Sequence, residues 1–226
     1  MQQSSDVELV DATTVLKALK VGRDVVVKYN ASLPKVRVGG DIDIYSLNKE
    51  ALLASLVEIS FVEQIEATIT ERNPDHSHFD VHRNGTLLCR LDIYSAFPQY
   101  KRFSVPAHIF AFLVGRGRQM DSPNAFIPQL PNEDEAFVRY LEYLEFYWTG
   151  PEKTHHLDWI TASLTPLEME SLFERAHNSV HVLFPQKPTA EKNVIPLSSR
   201  RAAHVLRFFT PLVPHRIRNF LKRRLF

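Results

Sequence analysis

The stretch from Gly39 to Ile44, Gly-Gly-Asp-Ile-Asp-Ile, decides how the first half of this sequence folds. Side chains point to alternate faces along a β-strand. A strand here therefore places Asp41 and Asp43 on one face, while Ile42 and Ile44 enter a hydrophobic core. The segment predicts a strand of a sheet that is buried on one side and carries two neighbouring carboxylates on the other.

A second segment repeats this arrangement later in the chain. Cys89, Leu91 and Ile93 share one face of a predicted strand, and Asp92 lies on the other. Three carboxylates that converge repel one another, so at least one takes up a proton at neutral pH unless a cation lies among them. Mg²⁺ prefers oxygen ligands and completes its shell with water and substrate phosphates. The pattern therefore predicts a Mg²⁺ or Mn²⁺ site that is formed by Asp41, Asp43 and Asp92.

These residues resemble the nucleotidyltransferase superfamily, which has a Gly-Gly or Gly-Ser turn, a paired acid on one strand and a third acid on the next. The layout Val-Val-Lys-Tyr-Asn at 26–30, then Leu33-Pro34 and Gly-Gly-Asp-Ile-Asp-Ile, is similar to small nucleotidyltransferase-like proteins of bacterial surface-polysaccharide gene clusters. The segments at 153–156 and 212–218 extend the likeness. It covers about residues 20–100, and the second half agrees more loosely.

The resemblance implies a role for each matching residue. Asp41 and Asp43 would ligate the metals that bind a nucleoside triphosphate, and Asp92 would hold a second metal or help to deprotonate the acceptor hydroxyl. The remaining candidates would line or contact the phosphates, and they are Gly39, Gly40, Lys28 and Lys153. In the superfamily the glycine turn usually lies several residues ahead of the acids, at the start of a helix, whereas here it directly precedes Asp41.

The implied function is a Mg²⁺-dependent transferase that moves a nucleotidyl or phosphoryl-containing group from a nucleoside triphosphate to a small molecule or a saccharide, in surface-polysaccharide synthesis. Two alternatives stay open at this point. One is a transferase of the toxin–antitoxin type that acts on a protein or a nucleic acid. The other is a non-catalytic nucleotide-binding or scaffold protein of the same fold.

The hydrophobic periodicity predicts an α+β protein with a mainly helical C-terminal half, and the resemblance implies a nucleotidyltransferase-type mixed sheet flanked by helices. The predicted division is a core at 1–105, a helical subdomain at 106–199 and a tail at 200–226. Asn84-Gly85 predicts a hairpin turn. The predicted helices are 7–20, 48–60, 136–148, 155–163 and 167–180, and the predicted strands of the first half include 25–29, 41–45, 64–72, 76–82 and 86–95.

Four polar residues alternate along one predicted strand: His76, His78, Asp80 and His82. On one face they are candidates for zinc or another transition metal. Alternate residues are about 6.6–7 Å apart along a strand, so at most two of the four reach one ion. A polar hairpin face is the simpler interpretation, with His78 at the border of the acidic site.

The aromatic positions of the predicted helix 136–148 admit two interpretations. They could stack a nucleobase, but a buried helix face explains the same spacing. Cys89 shares a face with Leu91 and Ile93 and is interpreted as an unreactive core residue.

Charge is distributed unevenly along the 226 residues. Eight of the 27 basic side chains lie in 200–226, which has no acid, so residues 1–199 hold 19 basic against 26 acidic side chains. Large apolar residues accompany the basic ones in this tail, which favours an anionic membrane surface or docking on the acidic body over nucleic acid. With one cysteine, no signal-peptide pattern and no long apolar run, the expected location is the cytoplasm. The basic tail adds the expectation of a peripheral position on the inner membrane face.

Overall fold

The structure is a computed structural model that describes residues 8–28, 32–100, 103–119, 126–149 and 153–182. All of them belong to one compact unit that spans residues 1–184. The basic tail at 200–226 lies outside the described residues, so its membrane and docking roles stay predictions. The boundaries at 105 and 199 stay predictions too. No described helix has both the length and the hydropathy that crossing a bilayer requires.

Strands and helices alternate through the first half of the chain, and helices dominate the second. The strands are β1 Leu9–Asp11, β2 Asp24–Val26, β3 Lys35–Arg37, β4 Gly40–Ser46, β5 Glu66–Asn73, β6 His76–Arg83, β7 Thr86–Tyr94, β8 Phe103–Ser104, β9 Arg118–Gln119, β10 Pro128–Gln129 and β11 His181–Val182. The helices are α1 Thr13–Leu16, α2 Lys49–Val62, α3 Ala107–Arg116, α4 Asn132–Thr149, α5 Thr154–Ser163 and α6 Pro166–Ser179.

The main sheet has seven strands in the order β5-β6-β7-β4-β2-β10-β9. The pairs β4–β7 and β10–β2 are parallel and the others are antiparallel, so the sheet is mixed. The predicted α+β class with a mixed sheet, flanking helices and a helical second half is confirmed.

One face of the sheet is covered by α1 and α2. Asn48 caps α2 by accepting a hydrogen bond from the backbone N–H of Ala51, as an N-cap residue does. Leu52 and Leu56 of this helix are fully buried in the same cluster as Ile42, Ile44, Leu91, Ile93 and Phe79 of the sheet. The predicted inward face of β4 and β7 is therefore confirmed.

The helices of the second half contribute to another hydrophobic cluster, which also includes residues in and directly after β2 and a residue of β4. Val25, Val27 and Tyr45 are buried there with α3, α4, α5 and α6. The Tyr45 ring lies 4.8 Å from the Phe110 ring of α3, centroid to centroid. Tyr45 lies on the same face of β4 as Asp41 and Asp43, because side chains two residues apart on a strand point the same way. The acidic face of the strand therefore adjoins this helical cluster.

The predicted helix at 7–20 is wrong. Val10 pairs with Val36 in a two-stranded antiparallel sheet, and the helix that follows has only four residues. The Asp11 carboxylate accepts a hydrogen bond from the Thr13 N–H at 2.7 Å, so the helix begins only after the strand. The apolar spacing does mark buried residues, since Val15 and Leu16 are in the core, but it belongs to a short helix and the turns after it.

The hairpin between β6 and β7 is confirmed. Asn84 has φ of 51° and Gly85 has φ of 74°, which are the positive values that a tight two-residue turn between antiparallel strands requires. The turn and a β-bulge at Leu88, where the partner of β6 shifts from Leu87 to Cys89, together place His78 opposite Asp92.

Candidate functional site

The pairing of β4 with β7 brings two of the predicted acids together. Asp43 and Asp92 are direct partners in this parallel pair, and Asp41 is opposite Arg90. Neighbouring strands are about 4.8 Å apart, so the side chains of Asp43 and Asp92 leave the same face next to each other. Asp41 lies two residues before Asp43 and therefore shares this face. The three acids form an acidic cluster on the side of the sheet opposite α2, although their carboxylate oxygens do not all lie within 4.8 Å of one another.

The electrostatics of the cluster are those of crowded carboxylates. The pKa of Asp92 rises to about 6 because the group is largely buried and because Asp43 and Asp41 are negative neighbours. Burial also raises the pKa of Asp43, against the attraction of Lys28. At neutral pH Asp92 is therefore close to taking up a proton, and a cation placed beside its carboxylate would relieve the repulsion.

Lys28 supplies one cation to the cluster. Its Nζ lies 2.6 Å from Asp43 Oδ2 and 2.9 Å from Glu142 Oε1 on α4. Burial alone would favour the neutral amine, but Asp43 and Glu142 together raise the pKa of Lys28, so the ammonium stays charged. The predicted candidate Lys28 therefore lies in the site, in contact with a predicted ligand.

Glu142 and His156 are site residues that the sequence did not predict. His156 Nε2 on α5 lies 3.0 Å from Glu142 Oε2. Burial would raise the pKa of Glu142, but the neighbouring His156 ring and the Lys28 ammonium lower it to about 2, so the carboxylate is charged. A signal was present in the sequence, because Glu142 is an acid between two large apolar residues, Leu141 and Tyr143, which are both buried.

Lys153 precedes α5 directly, three residues before His156. It therefore belongs to the same helix start as the ring that contacts Glu142. Its role as a phosphate contact stays a prediction.

Gly39 and Gly40 turn the chain from β3 into β4. Gly39 has φ of 74°, and its N–H donates to the carbonyl oxygen of Leu88 at 2.9 Å. A Cβ on residue 40 would lie 2.8 Å from the carbonyl oxygen of Arg37. The turn itself requires both glycines, and it is not at a helix N-terminus, so the structure assigns them no helix dipole for phosphate binding.

The histidines of β6 separate into two groups. His78 Nε2 lies 3.3 Å from Asp92 Oδ1, and His76 Nε2 lies 3.9 Å from the same oxygen. His82 instead lies 3.2 Å from the Thr68 hydroxyl. Burial lowers the pKa of His76 to about 4 and also lowers that of His78, so both rings are neutral at pH 7.

Asp80 and Cys89 are accounted for by other contacts. Two Arg90 nitrogens donate to the Asp80 carboxylate at 2.7 and 2.8 Å, which lowers the pKa of Asp80. Cys89 is buried, and this burial raises the pKa of its thiol to about 11, as expected of an unreactive core cysteine.

The donor set of the cluster suits a hard divalent cation. Asp41, Asp43 and Asp92 offer carboxylate oxygens only, and Asp92 Oδ1 is buried without a hydrogen-bond partner in the described part of the chain. Comparisons with family models, with curated proteins and with solved structures gave no match for this chain.

Proposed function

We propose that the protein is a Mg²⁺-dependent transferase of the nucleotidyltransferase type. The observation that carries the proposal is the β4–β7 register, in which Asp43 and Asp92 are paired and Asp41 shares their face. Two carboxylates on one strand and a third on its neighbour are the pattern for which the sequence resembles that superfamily. The α+β fold with a mixed sheet supports the proposal, although many folds of this class exist.

Asp41 and Asp43 would hold Mg²⁺ together with the triphosphate of the donor nucleotide, and Mn²⁺ would serve in place of Mg²⁺. When bound, the metal supplies positive charge to the phosphates and to the attacking oxygen. Asp92 lies at the edge of the pair toward β6, where it would accept the proton of the acceptor hydroxyl at its carboxylate. Burial raises the pKa of Asp92, which increases the affinity of its carboxylate for a proton.

Lys28 would act as a mobile positive charge in this site. In the metal-free protein it neutralises Asp43 at 2.6 Å, and Glu142 holds it from the other side. If a divalent cation neutralised Asp43, the ammonium would remain anchored by Glu142 and would be available to a phosphate oxygen. His156 fixes Glu142 for this purpose through its 3.0 Å contact.

The acceptor class follows from the resemblance rather than from the geometry. Proteins with this layout in surface-polysaccharide gene clusters suggest a saccharide or another small hydroxyl compound as the acceptor. Binding of the tail at 200–226 to an anionic membrane would place the protein near lipid-linked glycans, and both ideas rest on sequence alone.

A second candidate is a non-catalytic nucleotide-binding or scaffold protein of the same fold. The Lys28–Asp43 ion pair favours it, because an ammonium that permanently occupies the position of a metal would leave a structural site. The two candidates differ in whether a divalent cation displaces Lys28 from Asp43.

The test begins with thermal unfolding of the full chain in the presence of each common nucleoside triphosphate or nucleotide-sugar, with and without Mg²⁺. Donors that stabilise the protein are then assayed for pyrophosphate release and, by mass spectrometry, for transfer to saccharides. We expect Mg²⁺-dependent stabilisation that Asp43→Asn abolishes and that Asp158→Asn, at an exposed acid of α5, leaves intact. Stabilisation by no donor, or equal stabilisation of Asp43→Asn, would overturn the proposal.

A further inference from the structure

A separate cluster of metal-ligand side chains lies on the β6 side of Asp92. It consists of His76, His78 and Asp92, and one ligand atom of each lies within 4.8 Å of the other two. The two imidazoles belong to one strand and the carboxylate to the next. Asp41 and Asp43 are on the opposite side of Asp92, since β7 lies between β6 and β4.

The register explains why these three side chains meet. His78 is the direct antiparallel partner of Asp92, and His76 is the partner of Tyr94. The His76 ring stacks on the Tyr94 ring, with centroids 4.1 Å apart and planes at 11°, which holds the imidazole in a fixed orientation. The His76 and His78 rings are 4.8 Å apart in an edge arrangement. Both rings therefore lean toward the same oxygen.

Two atoms of the cluster are buried without a hydrogen bond. Within the described residues, neither His76 Nε2 nor Asp92 Oδ1 has a hydrogen-bond partner, although both are shielded from solvent. The 3.3 Å contact of His78 Nε2 with Asp92 Oδ1 is close enough for attraction but lacks hydrogen-bond geometry. Buried polar atoms in proteins are nearly always satisfied, and a bound ion can satisfy those that the protein itself leaves unpaired.

We propose that His76, His78 and Asp92 bind a divalent transition metal, with Zn²⁺ as the representative ion. Two imidazole nitrogens and one carboxylate oxygen form a ligand set that suits Zn²⁺ and its neighbours in the first transition row, whereas Mg²⁺ prefers oxygen alone. Three protein ligands leave a fourth position of a tetrahedral ion open to water or to a substrate oxygen. The site goes beyond the nucleotide-binding function proposed above.

The distances between the ligand atoms are close to those around a tetrahedral zinc ion. Two ligand atoms about 2.1 Å from a tetrahedral zinc ion are about 3.4 Å apart. The pair formed by His78 and Asp92 is at 3.3 Å and the pair formed by His76 and Asp92 is at 3.9 Å. The ligand atoms of His76 and His78 lie within 4.8 Å of each other, so movements of about 1–1.5 Å, chiefly of His78 and Asp92, would bring all three to these distances.

The test measures Zn²⁺ bound to the untagged full chain, by equilibrium dialysis and elemental analysis, and the absorption spectrum of bound Co²⁺. The variants are His76→Gln and His78→Gln. The matched control is His82→Gln, because His82 is on the same strand but contacts Thr68 instead. Thermal unfolding without metal shows whether each variant is folded.

We expect one Zn²⁺ per chain at micromolar concentration, and a Co²⁺ spectrum with imidazole ligation. Removal of either cluster histidine weakens binding by more than about 100-fold, because loss of even an outer-shell contact costs about 10–100-fold. His82→Gln binds as the wild type does. Absence of Zn²⁺ binding, or binding that both cluster variants retain, overturns the proposal.

The outcome is separable from that of the proposed function. Asp43→Asn removes a predicted Mg²⁺ ligand and leaves the histidine cluster complete, so it retains Zn²⁺. His78→Gln loses Zn²⁺ but retains any Mg²⁺-dependent stabilisation by nucleotides. If Asp43→Asn weakens Zn²⁺ binding as much as His78→Gln does, the histidine cluster is not a metal site distinct from the acidic one.

Discussion

Asp92 is a destabilising charge in the metal-free protein, and replacing it with Asn is expected to stabilise the fold. Folding raises its pKa from 3.8 to about 6, first through burial and then through Asp43 and Asp41. A group whose pKa rises on folding binds protons more tightly in the native state, so stability falls as the pH increases through this window. With about 1.4 kcal/mol for each pKa unit, the loss is about 3 kcal/mol at pH 8.

The expected difference in stability between Asp92→Asn and the wild type becomes smaller at acidic pH. At pH 5 the native carboxyl is mostly protonated and the unfolded one mostly charged, which leaves about half of the full difference. Asp92→Asn, which does not titrate, is therefore more stable than the wild type by about 3 kcal/mol at pH 8 and by about 1.5 kcal/mol at pH 5. Urea unfolding of both proteins in the presence of a chelator, at several pH values between 5 and 8, measures this difference in stability.

Asp80 provides a control of opposite sign on the neighbouring strand. Its pKa is lowered by hydrogen bonds from Arg90, so its charge stabilises the fold above the unfolded-state pKa, and this stability is lost as the pH falls. Asp80→Asn is expected to be less stable than the wild type at pH 8. The assignment of Asp92 as a destabilising charge is wrong if Asp92→Asn gains nothing at pH 8, or if its advantage increases toward acid.

Two further predictions concern residues that hold the site in place. Gly40→Ala should destabilise the protein by about 1–3 kcal/mol, because its Cβ would lie 2.8 Å from the Arg37 carbonyl oxygen. Gly115→Ala, in open space on α3, should instead stabilise the protein by about 0.5–1 kcal/mol. Chemical unfolding of both variants measures this difference, and equal effects on stability would contradict the prediction. Glu142→Gln should cost about 1.5–3 kcal/mol, since it removes a charge-assisted partner of Lys28. A double-mutant cycle with Lys28→Met measures the coupling, and a coupling energy of zero would contradict the ion pair.

The sequence predicted the parts of the fold that depend on alternation along a strand. Ile42 and Ile44 identified the buried face of β4, and the opposite face therefore had to carry Asp41 and Asp43. The Asn84-Gly85 turn identified the β6–β7 hairpin. These are local signals, because the residues that produce them are neighbours in the chain.

The missed parts of the site depend on contacts between distant residues. Glu142 is 114 residues from Lys28, and no pattern within α4 shows that this acid, and not the buried Asp134 or Glu135, meets a lysine of another element. The same holds for His76 and His78. The spacing along β6 predicts that an ion reaches at most two of the four alternating residues, and this stays a prediction. The approach of Asp92 on β7 to His76 and His78 depends on the strand register.

The prediction for residues 7–20 failed for a related reason. Its apolar spacing fits a helix, yet the backbone at Val10 pairs with Val36 of β3, and the Asp11 carboxylate accepts a hydrogen bond from the N–H of Thr13, where the short helix begins. Tertiary pairing overrode a local pattern, as it often does for short elements.

Anomalous diffraction from crystals soaked with Mn²⁺ and a non-hydrolysable nucleoside triphosphate would locate the metal of the proposed transferase site. We expect a manganese peak coordinated by the carboxylates of Asp43 and Asp41, with Asp92 at the same ion or at a second one, and Lys28 turned away from Asp43. A peak confined to His76 and His78, or none with Lys28 still paired to Asp43, would contradict a three-aspartate metal site.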